Sequence, residues 1–145
     1  SPVQIGSLSD WTQVVYGTNF ALALRSTGQL YAWGNNSWGQ LGTSDLTHRS
    51  TPVQVGTSTT WYTIAAGDTF GAAIKNNGTL WAWGNNSWGQ LGNNSTTPVS
   101  SPIQIGGNAY PFGVSGNIAA GQDASYVIQS NGSLWSWGGN SYGQL

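Results

Sequence analysis

Apolar and polar residues alternate along this chain in short runs. Phe20, Leu22 and Leu24 alternate with Ala21, Ala23 and Arg25, and the same period returns at Phe70, Ala72 and Ile74 and at Tyr126 and Ile128. A period of two is that of a strand with one apolar face. Trp11 to Tyr16 reads as a strand before the first run, with Gly17 and Asn19 as turn residues between them. After each run come Thr27-Gly28, Asn77-Gly78 and Asn131-Gly132, pairs expected to supply the positive-φ residues of a tight hairpin. Leu30, Leu80 and Leu134 then open a third strand. A short Pro-Val-Gln-Ile segment is expected as a fourth, outer strand, since a proline at its start suits a sheet edge.

These elements recur. Ser1-Pro-Val-Gln-Ile-Gly6, Thr51-Pro-Val-Gln-Val-Gly56 and Ser101-Pro-Ile-Gln-Ile-Gly106 lie 50 residues apart. Leu30-Tyr-Ala-Trp-Gly-Asn-Asn-Ser-Trp-Gly-Gln-Leu-Gly42 returns almost unchanged as Leu80 to Gly92, and again as Leu134 to Leu145. The last copy is displaced by 54 residues rather than 50, which places an insertion near 108–115, where Pro111 and Gly113 suit a loop. The 145 residues therefore read as one unit of three repeats, 1–50, 51–100 and 101–145. Four short antiparallel strands cannot bury both faces alone, and stacking such sheets around an axis buries them against their neighbours. The expected fold class is all-β, with β-propeller blades of four antiparallel strands and three repeats forming a partial propeller. Known propellers close with roughly four to eight blades, so three call for further repeats or further copies.

Composition agrees with the pattern. The chain has 22 glycines and nine tryptophans, no methionine and only 5% charged residues, which describes a turn-rich all-β protein. A net charge of -1 offers no electrostatic footprint for nucleic acid or an anionic membrane surface, so neither partner is expected. With no cysteine there is no disulfide framework and no thiolate site. No apolar run approaches the roughly 18 residues of a membrane-spanning helix. The start at Ser1 reads as that of a processed or excised segment. Scarce charge with abundant Asn, Ser, Thr and Gly is a surface style of secreted microbial or virion proteins, so an extracellular or virion location is the expectation.

The stretches Gly34-Asn-Asn-Ser-Trp-Gly-Gln-Leu-Gly42 and Gly84 to Gly92, with a shortened copy at Gly138 to Leu145, resemble the hallmark of the regulator of chromosome condensation family. The resemblance covers the whole chain and implies a complete ring of about seven blades. The sequence departs from the family where a His-Thr pair begins the second strand, since Phe20-Ala21, Phe70-Gly71 and Ala124-Ser125 stand there. The charged loops and basic tail by which the founding member exchanges nucleotide on a small GTPase and docks on nucleosomes have no counterpart here. Other relatives resemble secreted bacterial binding proteins and microbial surface or phage structural proteins.

Few residues offer chemistry. His48, the one histidine, lies with Asp45 and Arg49 in a loop whose second copy lacks equivalents, and it reads as a loop residue. Zinc would need about three or four suitable ligands, which the chain does not readily assemble. Asp68 and Asp123 stand at nearly matching positions and offer either a carboxylate pair across adjacent blades or two turn residues, the turn role being favoured. No phosphate-binding loop, nucleophile elbow or dinucleotide fingerprint is present. No enzyme, cofactor or metal is expected. Trp33, Trp83 and Trp137 read as inter-blade packing. Trp38, Trp88 and Tyr142, with Tyr31, Trp81 and Trp135, are the candidate interface or ligand-stacking residues.

The expected function is a non-catalytic structural or self-assembly module of an extracellular or virion protein, its partners being itself by head-to-tail blade contact or further repeats of a longer chain. The alternative is a protein- or glycan-binding propeller. A guanine nucleotide exchange factor ranks last.

Overall fold

The computed structural model describes residues 1–107 and 117–145, so the insertion expected near 108–115 lies outside the described residues. The first sheet contains β1 (Trp11–Tyr16), β2 (Phe20–Arg25), β3 (Leu30–Gly34) and β4 (Arg49–Gln54) in that order. The second repeats it with β5 (Trp61–Ala66), β6 (Phe70–Lys75), β7 (Leu80–Gly84) and β8 (Val99–Ile105). The third has β9 (Ile118–Ala120), β10 (Ala124–Ile128) and β11 (Leu134–Gly138), with β11 at its edge among the described residues. All pairings are antiparallel. β5 touches β1 and β2 on one side and β9 on the other, so the first strands lie innermost and the Pro-Val-Gln strands outermost.

The sheets and the sequence period are cut at different places. Thr51-Pro-Val-Gln54 completes the first sheet, pairing Tyr31 with Gln54 and Ala32 with Val53, although a period counted from Ser1 would open its second copy there. Ser101–Ile105 likewise completes the second sheet. Residues 1–10 precede β1 and form no strand.

The β2–β3 hairpin shows why each copy carries Thr-Gly or Asn-Gly. Gly28 N–H donates to the Arg25 carbonyl at 2.9 Å, and Arg25 N–H donates to that of Gln29 at 3.0 Å. Lys75, Gly78 and Thr79 repeat this geometry, as do Gln129, Gly132 and Ser133. Of each pair, only the glycine takes positive φ, +75° at Gly28 and +80° at Gly78. This is a type I turn closed by a left-handed residue, so the asparagine serves instead by accepting hydrogen bonds, Asn77 Oδ1 from Thr79 N–H at 3.2 Å.

The core lies between sheets. Phe20, Leu22, Leu24, Leu30 and Leu41 of the first blade pack with Trp61, Ile64 and Trp83 of the second. Phe70, Ile74, Leu80 and Leu91 of the second pack with Val127, Ile118 and Trp137 of the third. Each sheet is thus completed by its neighbour, as the repeat argument requires.

Candidate functional site

The Gly-Asn-Asn-Ser-Trp-Gly-Gln-Leu stretch leaves the end of β3 or β7 and turns back across one face of the sheets. Its second asparagine is fully buried and holds the loop together. Asn36 Nδ2 donates to the carbonyls of Asp45 at 2.9 Å and Thr47 at 3.2 Å, while its Oδ1 accepts from Leu41 N–H at 2.9 Å. Asn86 does the same with Ser95 and Thr97 at 2.8 and 3.2 Å and with Leu91 at 3.0 Å. The family-like stretch carries these asparagines in its sequence, and their identical recurrence in a loop is the signal of this structural constraint.

Two residues on, the aromatic backbone is pinned while the ring is left outside. Gln40 Oε1 accepts from Trp38 N–H, Gln90 Oε1 from Trp88 N–H and Gln144 Oε1 from Tyr142 N–H, each at 2.9 Å. Trp38, Trp88 and Tyr142 are 44%, 57% and 95% exposed. Trp38 forms a ridge between two grooves. One, of about 340 Å³, is lined by Ser37, Leu46, Pro98 and Ser100. The other, of about 220 Å³, lies toward the axis with Thr18, Asn19, Asn35, Gln40, Asp68 and Thr69.

Tyr31, Trp81 and Trp135 stand at the other end of the third strand and do not join this group. Tyr31 is half-buried, edge-on to Trp11 at 5.3 Å. Trp81 is edge-on to Trp61 at 5.9 Å, with the Lys75 ammonium 4.0 Å from its ring centre and 4.6 Å from that of Trp61. Burial lowers the pKa of that ammonium. Trp135 is more exposed, and its indole donates to Ser133 Oγ at 3.0 Å. Trp83 is fully buried, donating its indole N–H to the Gln40 carbonyl across the blade junction at 2.9 Å, and Trp137 donates likewise to Gln90 at 2.9 Å.

The charged loop is a structural knot. His48 Nδ1 accepts from Asn36 N–H at 2.9 Å, and Asp45 pairs with Arg49 at 2.6 Å. The hydrogen bond from Thr47 N–H, then the Arg49 guanidinium, holds the Asp45 carboxyl below its ordinary value. Among the described residues no three His, Cys, Asp or Glu side chains gather as metal ligands would. Asp68 and Asp123 act in the inner turns through their carbonyls, which accept from Thr18 N–H at 3.0 Å and Gly139 N–H at 2.8 Å. Burial, and then the charge of Asp68 across the second junction, pushes the Asp123 carboxyl up.

Two family models, both described as the regulator of chromosome condensation (RCC1) repeat, match the chain, one at residues 27–74 and 77–128 and the other at 11–40, 61–90 and 117–144. No curated protein matches it. Among solved structures it is similar to Prp20p from Saccharomyces cerevisiae, at 28% identity and a TM-score of 0.78, over 95% of this chain and 33% of that one. Human WBSCR16 superposes with a TM-score of 0.79 at 24% identity, over 88% of this chain and 33% of that one. The WD40 ectodomain of the Arabidopsis thaliana receptor kinase ACR4 gives a TM-score of 0.55 at 18% identity, over 89% of this chain and 37% of that one. The chain thus spans about one third of the length of these structures. With repeat-model matches along most of its length and blades that superpose on those of Prp20p, the chain belongs to the regulator of chromosome condensation repeat family.

Proposed function

We propose that these blades form part of a propeller that binds another protein through the face carrying Trp38, Trp88 and Tyr142. The observation that carries this reading is an exposed aromatic at the same loop position of each blade, its backbone held by a glutamine that is buried in the first two copies. A rigid aromatic with a free ring and adjoining grooves is the usual anchor of a protein interface. The solved Prp20p structure was described with that protein's binding to Gsp1p and histones, which supports protein binding as the role of such a propeller. Nothing in this reading requires catalysis. An extracellular or virion setting is part of the proposal and rests on the scarcity of charge.

The test is a double substitution, Trp38→Ala with Trp88→Ala. Both rings are exposed, so the melting temperature should hold, while affinity for a partner captured by the wild-type chain should fall at least ~30-fold, the effect of losing about 2 kcal/mol at an anchor. Unchanged affinity would remove this face from consideration.

A second reading, contact of the end sheets with another copy of this chain or with further repeats of a longer one, is supported by their apolar residues. Val3, Ile5, Val14 and Tyr16 are exposed at one end, and Ile128, Leu134 and Leu145 at the other. Exposed sheet faces and edges of this kind favour association.

A further inference from the structure

The first blade junction carries a charge that no cation of the chain neutralises. There are four acidic and three basic residues in all. Asp10 is paired with Arg25 and Asp45 with Arg49. Lys75, at the far end of β6 from the inner turn, lies against the Trp61 and Trp81 rings. That leaves Asp68 and Asp123, and both stand on inner turns. Asp68 serves its turn through the backbone alone, its carbonyl accepting from Thr18 N–H at 3.0 Å, and no described residue bonds or pairs with its carboxylate. Burial first, and then this charge, pushes up the Asp123 carboxyl on the next inner turn.

Asp68 lines the groove of about 220 Å³ on the axial side of Trp38. Both walls of this groove come from inside the chain, Thr18, Asn19, Asn35 and Trp38 from the first blade and Asp68 and Thr69 from the second. The Thr18 hydroxyl and the Asn19 side-chain carbonyl also engage no described residue, so two further acceptors are free beside the carboxylate. The bond from Trp38 N–H to Gln40 Oε1 fixes the backbone that carries the indole. An unpaired carboxylate, spare acceptors and an aromatic face in one groove match a planar cation. A guanidinium stacks on an aromatic ring while donating five N–H groups in a fixed fork, whereas an ammonium offers a point charge. We propose that this groove seats an arginine side chain of the protein partner, its guanidinium stacked on Trp38 and paired with Asp68. This rests on the reading that the face binds a protein, and it names the chemistry of one contact. A sugar stacks on such a ring as well, but leaves the charge of Asp68 uncompensated.

The experiment titrates the 145-residue chain with the peptide acetyl-Gly-Arg-Gly-amide and follows the Trp38 indole N–H by NMR, its resonance identified by its loss in Trp38→Phe. Citrulline and lysine versions of the peptide are the controls, the first keeping the shape without the charge and the second the charge without the fork. The Trp38 resonance should move saturably with the arginine peptide, at an affinity at least ~5-fold above either control. Asp68→Asn keeps the carbonyl that holds the turn and loses no side-chain bond, so it should fold, and it should weaken arginine binding at least ~5-fold. Salt at about 0.5 M should weaken binding to wild type in the same direction. Absence of a saturable shift overturns the proposal. So does citrulline or lysine binding as tightly as arginine, or undiminished binding to Asp68→Asn. Each of these results leaves protein recognition by the face standing, because partner capture by the Trp38→Ala, Trp88→Ala variant tests that separately.

Discussion

Asn86 shows how much a single buried amide can hold. Its side chain closes the loop onto Ser95 and Thr97 carbonyls and caps Leu91 N–H, at 0% exposure. Asn86→Ala would leave those groups without partners, at about 1–3 kcal/mol for each one that stays dry. We expect a loss of about 3 kcal/mol, read as a fall in the urea midpoint with unchanged slope. Ionisable residues give a second test. Burial, then Asp68, raises the Asp123 carboxyl above its ordinary 3.8, so the folded chain holds that proton more tightly than the unfolded chain. Its contribution is fully present below the unfolded value and is lost as pH rises through the folded one. Asp10 runs the other way, since the hydrogen bond from Arg25 lowers its carboxyl, and its contribution is lost as pH falls through that lowered value. In a series of urea midpoints against pH, Asp123→Asn should remove a decline above the ordinary carboxylate range, and Asp10→Asn a decline below it. Curves parallel to wild type would show that neither carboxyl is coupled to folding.

At the scale of the element, the inner turns are among the tightest places in the fold. A Cβ on Gly67 would overlap the Phe70 ring and the carbonyl oxygen of Gly121 on the next blade, whereas one on Gly56 would meet nothing within 4 Å. Gly67→Ala should therefore cost about 3 kcal/mol. Gly56→Ala should cost about 1–2 kcal/mol, from its positive φ alone. Thermal melts of the two variants separate these causes. The strands were legible in the sequence because they carry a local period: Trp11 to Tyr16 and Phe20 to Arg25 are β1 and β2 to the residue. The partner of the outer strand was not, because a periodic sequence reads alike from any starting point and only pairing decides whether Thr51–Gln54 closes one sheet or opens the next. The exposure of Trp38 and Trp88 was open for a related reason. A residue that recurs once per blade satisfies packing against a recurring neighbour as well as presentation to solvent. The recurrence of Asn36 and Asn86 was legible but their burial was not, because a turn asparagine and a buried one look the same in sequence.

Across the whole molecule, each junction is tied by an indole. Trp83→Phe keeps a large ring at a fully buried site but strips the donor to Gln40, and should cost about 1–2 kcal/mol. Trp33 lines a groove on the outer side of the first blade with Val3, Ile5 and Val14, so Trp33→Phe should change the stability of the single chain by less than about 0.5 kcal/mol. Denaturation of the two variants side by side distinguishes a tied junction from an open face. The offset between sheet and sequence period also bears on how such a chain can grow. Because the first and second sheets each borrow their last strand from the following period, consecutive blades are stitched by the polypeptide as well as by their cores. A recombination that gains or loses one period leaves whole blades behind wherever the break falls, since the pieces on either side of the join are always those of a single blade. The unit that is copied and the unit that folds need share a length, and nothing requires them to share a boundary.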